Sequence, residues 1–281
     1  MLKRVISAVI LIIIALAALL LGGIWLGAVV FIFAGISMYE FYSAFKQKGF
    51  HPLWPLGFLY LGLIPVVVFM EPSHALEIPV NGTNIFPAIQ LIIMLAMLSV
   101  IVIRHNKYNI VDCAITLIGA FYVPFLYSFF ILLRNREDGM MYLAVGVLGT
   151  VMADTFAMFG GMLFGKKKLV PELSPKKTVA GSIGSFVGSA VSVILLGWLM
   201  NRLHIMATPL SIVHYIILGL LLGLTSQIGD LSASAMKRYC GIKDFGKIIP
   251  GHGGILDRMD SMLFNVPLIY CYIQIVSALR L

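Results

Sequence analysis

This sequence predicts an all-α protein that crosses a membrane several times, and three observations carry that expectation. Hydrophobic residues make up 60% of the chain and charged residues only 11%, whereas a soluble domain carries about a quarter charged residues. The apolar stretches run for roughly 18 residues or more without alternation, which is the pattern of membrane helices rather than of barrel strands. Basic residues gather in the short connections between those stretches, a topology signal of membrane proteins. Within a bilayer each backbone polar group is satisfied inside its own element, which leaves the helix as the building block here.

The 281 residues parse into about nine spans. The apolar run from Val5 to Phe41 is too long for one helix of ordinary tilt, since a span needs about 20 residues. Gly22-Gly23 is its natural break, giving helices over Val5–Leu21 and Ile24–Tyr42. Lys3 and Arg4 precede the first of these, but no small-residue cleavage site follows, so Met1–Leu21 reads as a span rather than a removed leader. The third span is expected over Leu53–Met70, with Trp54 as an interfacial anchor. Ile85–Ile103, Ile110–Leu133 and Met141–Phe164 follow, then Val179–Met200, Ile212–Gly229 and Ser261–Ala278.

Orientation comes from the lysines and arginines. A cytoplasmic N-terminus puts Lys3, Arg4, Lys46, Lys48, Arg104, Lys107 and every basic residue of segments 165–181 and 229–260 on the cytoplasmic side. Arg134, Arg136, Arg202 and Arg280 fall outside, and the positive-inside rule favours this arrangement. The stretch Glu71–Asn84 has two acids and no Lys or Arg, which fits the outer face, and an odd span count puts the C-terminus outside. The net charge of +8 therefore follows membrane topology, and no nucleic-acid partner is expected. Cys113, Cys240 and Cys271 form no CxxC pair and read as apolar fillers. The chain divides into an N-terminal scaffold, 1–140, and a C-terminal catalytic region, 141–281.

Two segments concentrate polar chemistry. In Gly165–Gly181, Lys166, Lys167 and Lys168 read as surface anchors. Ser174-Pro175-Lys176-Lys177-Thr178 reads as a tight turn before a helix, able to offer ammonium groups and backbone N–H groups to phosphate. A simple basic patch attracted to anionic lipid is the alternative. In Gly229–Asp260, Pro250 precedes Gly251-His252-Gly253-Gly254, and Asp257-Arg258 and Asp260 follow. Glycines there admit a backbone approach that Cβ atoms would block. Asp257 and Asp260, three residues apart, are expected on one helical face, and carboxylates beside cations suit a metal ion that bridges phosphate oxygens. His252 reads as a hydrogen-bond donor or phosphate contact. Asp230 is expected at the C-terminal end of the eighth helix, where an acid opposes the dipole. Asp154 lies inside the sixth helix, and an intramembrane acid marks a functional site by default, with a structural hydrogen bond as the alternative. Glu40 and Asp112 read as interfacial.

These residues resemble the phosphatidate cytidylyltransferases. The pattern that carries the likeness is Ser234, Met236, Lys237-Arg238, Lys243-Asp244, Pro250, His252-Gly253-Gly254, Asp257-Arg258 and Asp260. Gln227, Gly229-Asp230-Leu231, Ser174 to Thr178 and Asp154 add to it. Members of that family often carry Glu at two positions that are Ala180 and Ala233 here, so no acid is available there. The resemblance implies a Mg²⁺-dependent reaction of CTP with phosphatidic acid, giving CDP-diacylglycerol and pyrophosphate in a bacterial cell membrane. It points to Asp230 and Asp257 as main metal ligands, with Asp154 and Asp260 supporting them. Lys176, Lys177, Lys237, Arg238 and Arg258 would clamp phosphates, and Gly251 to Gly254 would cradle the nucleotide. Ser174, Thr178, Ser234, Lys243 and Asp244 would complete the substrate contacts. A second, monovalent cation and a homodimer are compatible with the sequence. Other readings are a CTP-dependent enzyme acting on another membrane lipid and, further off, an ion-coupled transporter.

Overall fold

The structure, a computed structural model, describes residues 13–62, 64–65, 79–80, 83–84, 86–249, 251 and 253–279. Among the described residues it is helical almost throughout, and six helices are long and apolar enough to cross a membrane. These are α1 (Gly23–Gln47), α4 (Ile110–Arg134), α5 (Gly139–Phe164), α6 (Val179–Arg202), α7 (Ile212–Tyr239) and α9 (Met262–Leu279). The other helices are α2 (Trp54–Leu59), α3 (Phe86–Ile103) and α8 (Leu256–Met259). Residues 13–21 are also helical. Residues 5–12 of the first expected span, and residues 63 and 66–70 of the third, lie outside the described residues.

The chain forms two compact units. One comprises Met1–Asn135 with Cys240–Arg258, and the other Arg136–Tyr239 with Met259–Leu281. In the first unit α1, α2 and α4 pack around Phe41 and Tyr42, both fully buried. The Tyr42 hydroxyl donates to the Thr116 carbonyl at 2.8 Å, and the Leu53 N–H donates to Thr116 Oγ1 at 2.8 Å. Asp112, expected at an interface, is instead fully buried. It closes a capping box with Asn109 at the start of α4 and accepts the His51 N–H at 2.6 Å. Such a box satisfies amides that the first turn of a helix otherwise leaves orphaned. Midway along α4, Phe121–Phe125 widens into a π-helical turn around Pro124. Proline lacks an N–H and its ring crowds the preceding turn, and the wider turn absorbs both problems.

The second unit is built on α5, α6, α7 and α9. Its small residues explain the packing, because helices in lipid associate by close backbone approach rather than by expelling water. A Cβ on Gly184 would meet the Phe156 carbonyl at 2.5 Å, and one on Gly181 would meet the Ala157 carbonyl at 2.7 Å. On α7 a Cβ at Gly219 would come within 2.6 Å of Ala190 Cα. Asn265 on α9 is the polar hub. Its amide donates to Thr150 Oγ1 at 2.6 Å and to Ser226 Oγ at 2.8 Å, while its carbonyl accepts from Thr225 at 2.5 Å. Gly184→Ala is therefore expected to destabilise the protein although alanine is the better helix former. Alanine gains about 1 kcal/mol of propensity, but overpacking against a backbone atom costs about 1–3 kcal/mol. The check is a lower thermal midpoint in detergent.

Three local expectations are corrected. The helix expected to end at Gly229 continues to Tyr239, since the residues between contain no glycine or proline, and Gly241 (φ 71°) follows its end. Gly229 serves close packing instead, for a Cβ there would meet the Asp260 carbonyl at 2.6 Å. Ser174–Thr178 is not a tight turn but a strand, antiparallel to Lys168–Val170. Pro175 accepts this because its fixed φ is compatible with extended backbone. Thr178 then caps α6, its hydroxyl accepting the Gly181 N–H at 3.1 Å. Asp257 and Asp260 do not share a helical face, because α8 stops at Met259 and Asp260 sits in the turn before α9.

Candidate active site

In the second unit α5, α6, α7 and the Lys168–Thr178 hairpin enclose a cavity of about 470 Å³. The hairpin brings Lys176, Lys177 and Thr178 to its wall, α5 supplies Asp154, and α7 supplies Gln227 and Asp230. Met158, Met162 and Leu169 form an apolar side. Lys177 Nζ lies 2.6 Å from Asp230 Oδ2. Gln227 is held by Ser182, whose hydroxyl donates to its Oε1 at 2.5 Å, and its amide donates to the Gly223 carbonyl at 2.9 Å. Asp154 opens into the cavity from within a membrane-length helix.

Further predicted residues stand around this cluster. Ser234, one turn beyond Asp230, points its hydroxyl at Asp230 Oδ1 from 3.5 Å. Lys237 is buried in α7, Arg238 Nε approaches the Leu173 carbonyl at 3.4 Å, and Ser174 lies half-buried at the start of its strand. Asp260 is only 9% exposed and accepts the Ser261 N–H at 2.8 Å. Burial first, then the charge of Asp230, pushes its carboxyl up to about 7. The Ser261 amide and Lys237 oppose that rise, and Asp154 adds to it. Asp260 thus feels two other carboxylates as well as a lysine. Among the described residues no group of three His, Cys, Asp or Glu side chains is close enough to hold a metal by protein ligands alone.

In the first unit the glycine-rich segment forms its own pocket of about 530 Å³, lined by Lys243, Asp244, Gly246, Lys247, Ile249, Gly251, Gly253 and Arg258. The Ile249 N–H donates to the Gly253 carbonyl at 2.9 Å and closes the loop. Gly253 has φ 85°, a backbone conformation that a side chain disfavours. Asp257 holds the loop from beneath, since its Oδ2 accepts the N–H groups of Phe245 at 2.8 Å and Gly254 at 3.0 Å. His252, expected to touch phosphate, lies outside the described residues.

One residue here is missed by reasoning from the sequence. Glu40, expected at the membrane interface, is 2% exposed inside α1. Its Oε1 accepts the Ile255 N–H at 3.2 Å and its Oε2 the Leu256 N–H at 2.9 Å. Its signal is an acid in an otherwise apolar helix, the same signal that singles out Asp154.

Helices of membrane length, a cavity that pairs lysines and carboxylates with an apolar wall, and a cation-rich glycine loop define a membrane-embedded enzyme that handles phosphate groups. The chain belongs to the cytidylyltransferase family, whose pattern matches residues 2–276. It is 30% identical over 276 residues to a phosphatidate cytidylyltransferase of Bacillus subtilis (strain 168), covering 98% of both chains. Identity is 32% over 270 residues with the phosphatidate cytidylyltransferase of Staphylococcus haemolyticus (strain JCSC1435). It is 34% over 273 residues with that of Staphylococcus aureus (strain COL). Both of these alignments cover 95% of this chain and 96% of the relative.

Proposed function

We infer that this protein transfers the cytidylyl group of CTP to phosphatidic acid, giving CDP-diacylglycerol and pyrophosphate. The observation that carries the reading is the match along nearly the whole chain to phosphatidate cytidylyltransferases. The cavity of Lys176, Lys177, Asp154 and Asp230 supports it with suitable chemistry. In this reaction a phosphate oxygen of the lipid attacks the α-phosphorus of CTP. The bond from that phosphorus to the oxygen bridging to the β-phosphorus breaks, and pyrophosphate leaves. The nucleophile is anionic at neutral pH, so no general base is required. The obstacle is bringing polyanions together and neutralising the leaving group, a task of positioning and electrostatics.

The residues divide accordingly. Lys176 and Lys177, beside the apolar wall of Met158, Met162 and Leu169, suit the phosphate of a lipid. The loop carrying Lys243, Lys247, Gly251, Gly253 and Arg258 suits the nucleotide, its cations facing the triphosphate. Lys237 and Arg238 add positive charge on α7. The oxygen donors Asp230, Asp260 and Asp154 fit Mg²⁺, which takes one or two carboxylates and completes its shell with water and phosphate oxygens. The resemblance points to Asp257 as a metal ligand as well. Held by the carboxylates of the second unit, Mg²⁺ would neutralise charge that builds on phosphate oxygens.

Nine spans with a cytoplasmic N-terminus place both polar segments at the cytoplasmic face, where CTP is available and the lipid headgroup emerges. The setting is the bacterial cell membrane, in keeping with the relatives. The test is CDP-diacylglycerol formation from labelled CTP and phosphatidic acid by the purified protein in detergent, with Mg²⁺ and after chelation. Product is expected with Mg²⁺ and not after chelation. No product from folded protein would transfer the assignment to another lipid phosphate or alcohol.

A further inference from the structure

Glu40 sits where a carboxylate is costly to place, inside a membrane-length helix and almost wholly buried. Among the described residues it makes no ion pair. Instead its two oxygens take the N–H groups of Ile255 and Leu256, more than 200 residues away in sequence. The protein backbone has been cut to fit around it. A Cβ on Gly246 or on Gly254 would overlap the Glu40 carboxylate, so both sides of the loop close onto this one group. Glu40 does not line the loop's pocket; its carboxylate packs against Gly246, which does, and against Gly254.

We propose that Glu40 is a positioning residue for nucleotide transfer, a buried staple that sets the backbone of the glycine loop and thereby the placement of Asp257 and Arg258. Asp257 fixes the loop through the amides of Phe245 and Gly254, and Glu40 fixes the next two amides along the chain. Together they anchor four N–H groups that would otherwise let the loop swing. Hydrogen bonds to charged acceptors are about twice as strong as neutral ones, and that favours a carboxylate over a carboxamide. A displacement of about 1 Å at a reacting group can cost about 100-fold in rate, so a residue that touches no substrate can still govern turnover.

This proposal rests on the cytidylyl-transfer reading, and its test has one readout independent of activity. The full-length protein in detergent is compared with Glu40→Gln, which keeps the volume but faces an NH₂ group toward one of the two amides, and with Glu40→Asp, which keeps the charge and shortens the reach. Hydrogen–deuterium exchange of the peptide spanning residues 253–258 is expected to accelerate about tenfold or more in Glu40→Gln. Steady-state assays are expected to show kcat/KM for CTP lowered about 10- to 100-fold, while KM for phosphatidic acid changes less than about threefold. Glu40→Asp should fall between. Unchanged exchange, or faster exchange with wild-type kcat and KM, would overturn the proposal. So would an activity loss that merely tracks the fraction of protein unfolded. Absence of product from the wild type would instead strike the cytidylyl-transfer reading, and exchange would still decide whether Glu40 holds the loop.

Discussion

Asp230→Asn is expected to lower the maximal rate of CDP-diacylglycerol formation by about 1,000-fold, since metal-held charge stabilisation is worth several kcal/mol and about 1.4 kcal/mol is tenfold in rate. The substitution is nearly isosteric and leaves α7 intact, because Asp230 lies well inside that helix and not at its end. What changes is charge. Lys177 loses the carboxylate 2.6 Å from its ammonium, so the cavity becomes more positive. Phosphatidic acid should therefore bind at least as well, with KM unchanged or lower, while turnover collapses. That split between kcat and KM separates loss of a group needed in the transition state from loss of a group needed for binding. A Mg²⁺ titration of the residual activity should also need more metal to saturate. A variant within tenfold of wild type at saturating substrate would remove Asp230 from the metal-binding set.

The members of the cavity around Asp230 are legible in the sequence one by one. Lys176, Lys177, Asp154 and Asp230 stand out because charged and polar residues are expensive in an apolar chain, so each demands an explanation. The geometry joining them is less legible. A Ser-Pro-Lys-Lys-Thr segment reads as a turn from local chemistry, and only its pairing with Lys168–Val170 makes it a strand. Gly229 reads as the terminator of α7 for a similar reason. A glycine that stops a helix and one that lets another backbone approach leave the same mark in a sequence. The backbone that approaches it, at Asp260 and Ser261, lies far along the chain, and nothing local to Gly229 announces it. The helices themselves are readable to within a few residues at α4, α5, α6 and α9, since apolar length is a strong signal.

Glu40 shows how one boundary error hides a functional residue. Ending the helix at Tyr42 sets Glu40 at its edge, where an acid needs no partner. The helix in fact runs to Gln47, which leaves Glu40 about two turns from its end at 3.6 residues per turn. From there its carboxylate must find donors, and it finds them in a loop whose glycines and charges stand out for other reasons. The same argument that draws attention to Asp154 applies to Glu40 once the helix has its full length.

Asp257 is open to a sharper dissection, because its charge and its hydrogen bonds can be removed separately. In Asp257→Asn the carboxamide oxygen has two lone pairs and can accept both the Phe245 and the Gly254 N–H in place of Oδ2. The loop should then keep its shape, and amide exchange over residues 245–254 should stay near wild type. Turnover is nevertheless expected to fall about 100- to 1,000-fold, the scale of removing one electrostatic stabiliser from a transition state. Asp257→Ala removes the acceptor too. It leaves two buried amides unsatisfied at about 1–3 kcal/mol each, so exchange should rise along the loop and the melting temperature should fall with activity. If Asp257→Asn instead retains full activity while Asp257→Ala does not, the negative charge at this position does no chemistry. Asp257 would then be a second staple beside Glu40, and the metal would be left to the acids of α5, α7 and the turn at Asp260.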